Sequence, residues 1–273
     1  MPEGDTLFIA AKKLDAALTG RVVTRFESPL PELKETGVEG LTVSAVRAHG
    51  KHLIIEFSDG RAFLSHLRMQ GVWFARDKAS MPPRLREKTS RDVGWDDENT
   101  TLIIETESTV AVLSRAAVAE LAPLAKIERR LSDLGPDLLS PDYDADEALA
   151  RLRQHPDVTI GEALLRQSIV AGIGNVYKSE VLFLERVSPF VPVGELDDAT
   201  LARLLKRARD LMRRNLTPGP RRTTFGTFAR QNTYVYDRSG QHCLKCDAKI
   251  RMRRQGSLQR STYFCPECQA VGS

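Results

Sequence analysis

Cysteine occurs four times in these 273 residues, at Cys243, Cys246, Cys265 and Cys268, in the pattern C-x2-C-x18-C-x2-C. Two thiolate pairs on tight turns, separated by an insert of hairpin length, supply a tetrahedral sulfur shell that suits one Zn²⁺ and leaves no coordination position open. Such a metal holds a fold together and does no chemistry. The competing reading is two disulfides, which suit secreted chains. The opening Met1-Pro2-Glu3-Gly4-Asp5 carries acid where a secretory signal carries base. No apolar run approaches the ~20 residues of a membrane span. The expectation is a cytoplasmic protein, nucleoid-associated in a bacterium, with a zinc-bearing hairpin near its C-terminus.

The cysteines lie in the most basic part of the chain. Net charge is +4 overall, yet residues 1–124 hold 16 Lys and Arg against 18 Asp and Glu, whereas residues 203–273 hold 16 against 4. Four metal-bound thiolates around Zn²⁺ contribute −2, so this tail stays strongly positive. A local excess of that size is the footprint of a polyanion binder, and nucleic acid is the leading partner. The alternative is a solvated basic face.

Hydrophobic periodicity divides the chain. Residues 5–18 place Leu7, Ala10, Ala11, Leu14, Ala17 and Leu18 at helical spacing, with Gly20 as the stop. The period then shortens to that of strands at 22–26, 41–46, 53–57, 62–67, 72–74, 102–105 and 110–113, with a turn at Ser58-Asp59-Gly60. Seven short strands predict a sandwich or barrel. Residues 76–101 read as a mobile loop. From about 125 the apolar pattern is helical, over 147–153, 160–170, 175–186 and 196–216, until Thr217-Pro218-Gly219-Pro220 breaks it. The chain is therefore expected to be α+β. Residues 1–124 are expected to form a β-sandwich or a barrel with a leading helix, 125–235 a helical domain and 236–273 the zinc hairpin.

Several residues carry chemical possibilities. Removal of Met1 exposes Pro2 as a secondary amine, and an α-amino group with an ordinary pKa of about 7.7–8.0 is partly neutral at pH 7. Such an amine attacks a sugar aldehyde carbon to give an iminium, an electron sink that makes neighbouring protons acidic and lets phosphate leave. Met-Pro openings are otherwise only stable N-termini. Glu3 is placed to move protons beside that amine, or else simply complements a helix N-terminus. Lys51, in His49-Gly50-Lys51-His52 between two strands, can present an ammonium to phosphate or stand solvated. The run from Leu164 to Tyr177 reads as helix, Gly172-Ile173-Gly174 turn, helix. Backbone N–H groups there, with Asn175 at the cap, make a phosphate cradle or a close helix connection. It is no dinucleotide fingerprint, because a helix precedes the turn and Tyr177 stands where a third glycine belongs.

Together these segments resemble the formamidopyrimidine-DNA glycosylase and endonuclease VIII family from residue 2 to about 269. The resemblance is carried by Pro2-Glu3-Gly4, Gly50-Lys51-His52-Leu53, Ser65-His66-Leu67-Arg68-Met69 and Ala171-Gly172-Ile173-Gly174-Asn175. Val235 to Gly240 and Arg260 to Gln269 extend it around the cysteines. It implies a helix–two-turn–helix in the helical domain and a bifunctional glycosylase and abasic-site lyase of base excision repair, acting as a monomer on damaged DNA. Pro2 would attack C1′ and release the base, and β,δ-elimination would follow. Glu3 would act as acid and base, and Lys51 would hold a phosphate. Asn175 and Arg260 would contact phosphates around the flipped nucleotide, as would His66 and Tyr236, and Met69 would wedge into the vacated stack.

Two positions depart from the family pattern. Thr6 stands where a glutamate is frequent, and Asp237 where a glycine is frequent. The Pro2-Glu3-Gly4 opening points to oxidised pyrimidines, the favoured substrates, while His66 to Met69 look more like the oxidised-purine branch. A non-catalytic, zinc-dependent DNA-damage-binding protein on the same scaffold has no need to retain Pro2, Glu3 and Lys51 together. An N-terminal-proline tautomerase leaves the basic zinc hairpin idle.

Overall fold

The computed structural model describes residues 2–80, 99–217, 219–228 and 230–270. The chain divides into two compact units, Met1–Ser132 and Asp133–Ser273. No helix among the described residues is long and apolar enough to cross a membrane.

The first unit begins with helix α1 (Gly4–Leu18) and continues through strands β1 (Val23–Glu27), β2 (Val43–His49), β3 (His52–Phe57), β4 (Arg61–His66), β5 (Val72–Asp77), β6 (Thr100–Thr106), β7 (Thr109–Ser114) and β8 (Val118–Pro123), ending in helix α2 (Leu124–Leu131). The strands form two antiparallel four-stranded sheets, ordered β1-β6-β7-β5 and β2-β3-β4-β8. Leu102, Ile104, Ala111 and Leu113 of the first sheet share a core with Leu53, Ile55, Phe57 and Phe63 of the second, as alternation along the strands requires. Helix α1 adds Leu7, Ala11, Leu14 and Leu18, all at most 4% exposed, so its apolar stripe forms part of the same core. Phe26 meets Phe57 and Phe63 edge-on, and the Trp73 indole donates to Ser65 Oγ at 3.1 Å.

The sandwich and its leading helix match the sequence reading, with differences. An eighth strand, β8, lies where Val118-Ala119-Glu120-Leu121-Ala122 reads as helix former by composition; pairing with β4 overrides that propensity. Pro123 is tolerated at its end because β8 is an edge strand. The expected loop 76–101 is shorter than its bounds, since β5 runs to Asp77 and β6 starts at Thr100, and its centre, 81–98, lies outside the described residues.

The second unit holds helices α3 (Ala145–Arg153), α4 (Ile160–Ala163), α5 (Asn175–Leu184) and α6 (Asp198–Arg214), then the hairpin β9 (Arg251–Gln255) and β10 (Arg260–Phe264). Asp144 and Asp197 cap α3 and α6 by accepting from Glu147 N and Thr200 N. The helix expected over 160–170 stops at Ala163. The Gln167 side chain then takes over the backbone groups, with Nε2 donating to Leu165 O and Ile173 O and Oε1 accepting from Gly172 N, and the chain makes turns instead. Gly172 sits at φ +107°, which only glycine adopts freely.

Candidate functional site

Three contacts fix the direction of α1. Gly20 N donates to Val43 O at 2.8 Å, Val43 N to Arg21 O at 3.0 Å, and Val46 N to Asp15 Oδ1 at 3.2 Å. Helix and strand therefore run in opposite directions. From Asp15 back to Glu3 is about 18 Å along the helix axis, at ~1.5 Å per residue. From Val46 on to Lys51 is about 17 Å, at ~3.3 Å per residue. Pro2, Glu3 and Lys51 thus gather at one end of the unit.

At that end Pro2 is partly exposed, and Glu3 is the N-cap of α1 with no exposed surface. Thr6 closes a capping box: its hydroxyl accepts from Glu3 N at 3.4 Å and donates to Asp5 Oδ1 at 3.3 Å. The departure from the family pattern at Thr6 thus fixes the backbone of the residue following Pro2. Lys51 occupies the turn between β2 and β3. Strand register sets His49 opposite His52 and His52 opposite His66, a row of three imidazoles beside that turn. The His52 and His66 rings pack edge to face at 4.9 Å.

Burial, with the charges of Lys51 and Arg68, holds His66 down to about 4; burial, with His66 and Arg130, does the same for His52. Both are neutral at pH 7. His66 Nδ1 accepts from Arg68 N at 3.0 Å, so the proton sits on Nε2 and His66 offers a phosphate a hydrogen bond without a charge. Met69 follows Arg68, which sits at φ +47°, and is 63% exposed, so it is no core methionine.

The neutral histidines make stability pH-dependent. Their folded-state pKa lies below the unfolded value of about 6.5, so the unfolded chain binds protons first as pH falls. The stability advantage of the protein over a His52→Gln, His66→Gln double variant is expected to shrink from pH 6.5 to about 4 and then level off. Parallel urea-midpoint curves for the two proteins across that range would contradict the assignment.

In the second unit Gly174 is the N-cap of α5 and Asn175 its first residue, one position later than the sequence reading places it. Asn175 is 6% exposed, and its Oδ1 is buried with no hydrogen-bond partner among the described residues. The positive end of the helix dipole and the Asn175 amide, which can also donate through Nδ2, make this terminus suited to an anion. Arg260 opens β10, which packs on α5, and is exposed.

Tyr236 donates its N–H to Glu180 Oε1 at 2.8 Å and stacks its ring edge-on against Tyr263 at 5.1 Å. Asp237 sits at φ +59°, the left-handed region that glycine favours; aspartate is among the residues that tolerate it. Arg238 is 7% exposed and ties Tyr234 O to His242 O, a scaffold role that the sequence reading missed.

The four cysteine sulfurs lie within 4.8 Å of one another, with Cys243–Cys268 at 3.8 Å and Cys246–Cys265 at 3.4 Å. Four sulfurs about 2.3 Å from a shared centre stand roughly 3.8 Å apart, so the donor set fits a tetrahedral metal. Burial and the neighbouring thiols push Cys265 up to about 11 and Cys268 higher still, so metal binding has to displace protons. Gln269 ties the second knuckle to the helical part: its Oε1 accepts from Cys265 N and its Nε2 donates to Val187 O at 2.8 Å.

A sandwich with a leading helix, a helix–turn–helix with an anion-ready terminus and a four-cysteine hairpin define a DNA-repair glycosylase architecture. The N-terminal domain of formamidopyrimidine-DNA glycosylase matches residues 1–110, and the H2TH domain of the same family matches 134–226. The chain belongs to the formamidopyrimidine-DNA glycosylase and endonuclease VIII family. It is 42% identical to a Streptomyces coelicolor protein named probable endonuclease 8 2, over 99% of this chain and 94% of that one. It is 35% identical to the Mycolicibacterium smegmatis DNA-(apurinic or apyrimidinic site) lyase Nei2, over 99% and 100%. Its fold matches that of Lactococcus lactis formamidopyrimidine-DNA glycosylase bound to DNA with an abasic site, at a TM-score of 0.80 and 23% identity, over 99% of this chain and all of that one.

Proposed function

We propose that this chain is a bifunctional DNA glycosylase and abasic-site lyase that removes oxidised bases, with Pro2 as its nucleophile. The observation that carries the reading is Pro2 directly ahead of a fully buried N-cap Glu3, at the end of the sandwich that also holds Lys51 and His66. With Met1 removed, the Pro2 nitrogen attacks C1′, the glycosidic bond breaks and the base leaves with a proton. Ring opening, with Glu3 supplying a proton to the sugar oxygen, yields the iminium. Loss of a C2′ proton then expels the 3′ phosphate, a further elimination expels the 5′ phosphate, and water releases the amine.

Lys51, with His66 as a neutral donor, holds a backbone phosphate. Asn175, Arg260 and Tyr236 hold others, and Met69 fills the space left by the extruded base. One Zn²⁺ on Cys243, Cys246, Cys265 and Cys268 keeps the hairpin of Arg260 folded. Oxidised pyrimidines are the preferred lesions. The Pro2-Glu3-Gly4 opening supports this.

Duplexes carrying single lesions test the reading. Oxidised pyrimidines are expected to be cut faster than 8-oxoguanine, and Glu3→Gln to slow base release while DNA binding persists. Binding without strand cleavage on any lesion or abasic duplex would leave a damage-binding protein instead. Chelation of the metal is expected to weaken binding to an abasic duplex by at least tenfold, because the hairpin loses its fold. Unchanged affinity after verified zinc loss would take Arg260 out of the interface.

A further inference from the structure

Lysine 178 lies one turn into α5, three residues after Asn175, and has no exposed surface. A cation there is doubly unfavourable, being desolvated and near the positive end of a helix. Hydrogen bonds offset part of that cost, and two of them reach the hairpin. Nζ donates to Ser261 O at 3.0 Å and to Thr262 Oγ1 at 2.7 Å. The Thr262 hydroxyl donates to Gln255 Oε1 at 2.8 Å, Gln255 Nε2 donates to Thr159 Oγ1 at 2.8 Å, and that hydroxyl donates to Glu162 Oε2 at 2.6 Å. Each hydroxyl in this chain accepts once and donates once, the arrangement in which hydrogen bonds strengthen one another. Its ends are an ammonium and a carboxylate.

The chain passes beneath the zinc hairpin and ties both strands to the helical body. Gln255 Nε2 also reaches Pro189 O at 2.8 Å. The close approach is built in at Gly161, where an added Cβ would stand 2.6 Å from Gln255 Oε1 and 2.8 Å from Pro189 O. Ser261 and Thr262, the two residues Lys178 grips, follow Arg260 directly.

We infer that Lys178 is a positioning residue: through Ser261 and Thr262 it sets Arg260 at a fixed distance from Asn175, so that both reach phosphates of one strand. This rests on the proposed roles of Arg260 and Asn175, and the experiment separates the two. Zinc-loaded, full-length Arg260→Ala, Lys178→Met and the double variant are titrated with an abasic-site duplex over a range of salt. Zinc content and melting temperature are recorded alongside.

Arg260→Ala is expected to weaken binding about tenfold and to lower the slope of log K against log salt by about 0.9, one phosphate contact. Lys178→Met is expected to do nearly the same with zinc retained, and the double variant to be no worse than Arg260→Ala. Thr262→Val, which keeps the charge of Lys178 and breaks the chain, is expected to reproduce the salt-slope loss. An ineffective Arg260→Ala overturns the role of Arg260 and the inference with it. An effective Arg260→Ala beside additive losses in the double variant, or beside unchanged slopes in Lys178→Met and Thr262→Val, overturns the inference alone. Should Lys178→Met fail to fold, Thr262→Val decides.

Discussion

Any residue left ahead of Pro2 is expected to abolish the borohydride-trapped adduct with an abasic-site duplex. A retained Met1, or an uncleaved N-terminal tag, turns the ring nitrogen of Pro2 into a tertiary amide, whose lone pair is delocalised into the carbonyl and cannot form an iminium. The loss in lyase rate is expected to exceed a thousandfold, because no step after base loss proceeds without the electron sink. DNA affinity is expected to change far less, since the phosphate-holding groups lie elsewhere in the chain. Pro2→Gly keeps an amine, now primary, and is expected to retain reduced trapping. Full activity in protein shown by mass spectrometry to retain Met1 would remove Pro2 from the mechanism.

Glu180→Ala is expected to be the most destabilising single change in the second unit. Burial holds the Glu180 carboxyl above the usual glutamate range, although four donors act in the opposite sense. Oε1 accepts from Val235 N and Tyr236 N, each at 2.8 Å, and Oε2 from Tyr234 N at 2.7 Å and from the Thr223 hydroxyl. One carboxylate therefore satisfies three consecutive backbone N–H groups in the segment that enters the cysteine knuckles. Truncation leaves these donors buried without an acceptor, at a cost of about 3–5 kcal/mol. For a chain of this size that lowers the melting temperature by roughly 10 °C. Glu180→Gln keeps one oxygen and is expected to lose about half as much. Calorimetry of the zinc-loaded protein measures both, and a shift under about 2 °C for Glu180→Ala would mean that other groups hold the segment.

Elements whose signal is local were readable in the sequence. The stripe of Leu7, Leu14 and Leu18 gave α1 to within a residue, and the cysteine spacing placed four sulfurs that the fold brings together. Strand β8 was not readable, because alanine, leucine and glutamate favour helix until β4 offers an edge to pair with. Helix α4 ends early for a similar reason: Gln167 competes for backbone groups in a way that periodicity does not register. Glu180 and Lys178 were passed over because charged residues are expected at surfaces. Their position beside the apolar run Val181-Leu182-Phe183-Leu184 was a usable sign, since a helix apolar on most sides is buried. The acceptors and donors that keep them there lie 43 to 84 residues away in sequence, beyond any local pattern.

The proposed reaction rests on one ring nitrogen, and peptide mapping locates it. The protein is reduced with borohydride while bound to an abasic-site duplex, digested with protease and nuclease, and the sugar-modified residue located by tandem mass spectrometry. The account predicts the added mass on Pro2 of a chain lacking Met1. The same mass on Lys51, or on any other lysine, would contradict it.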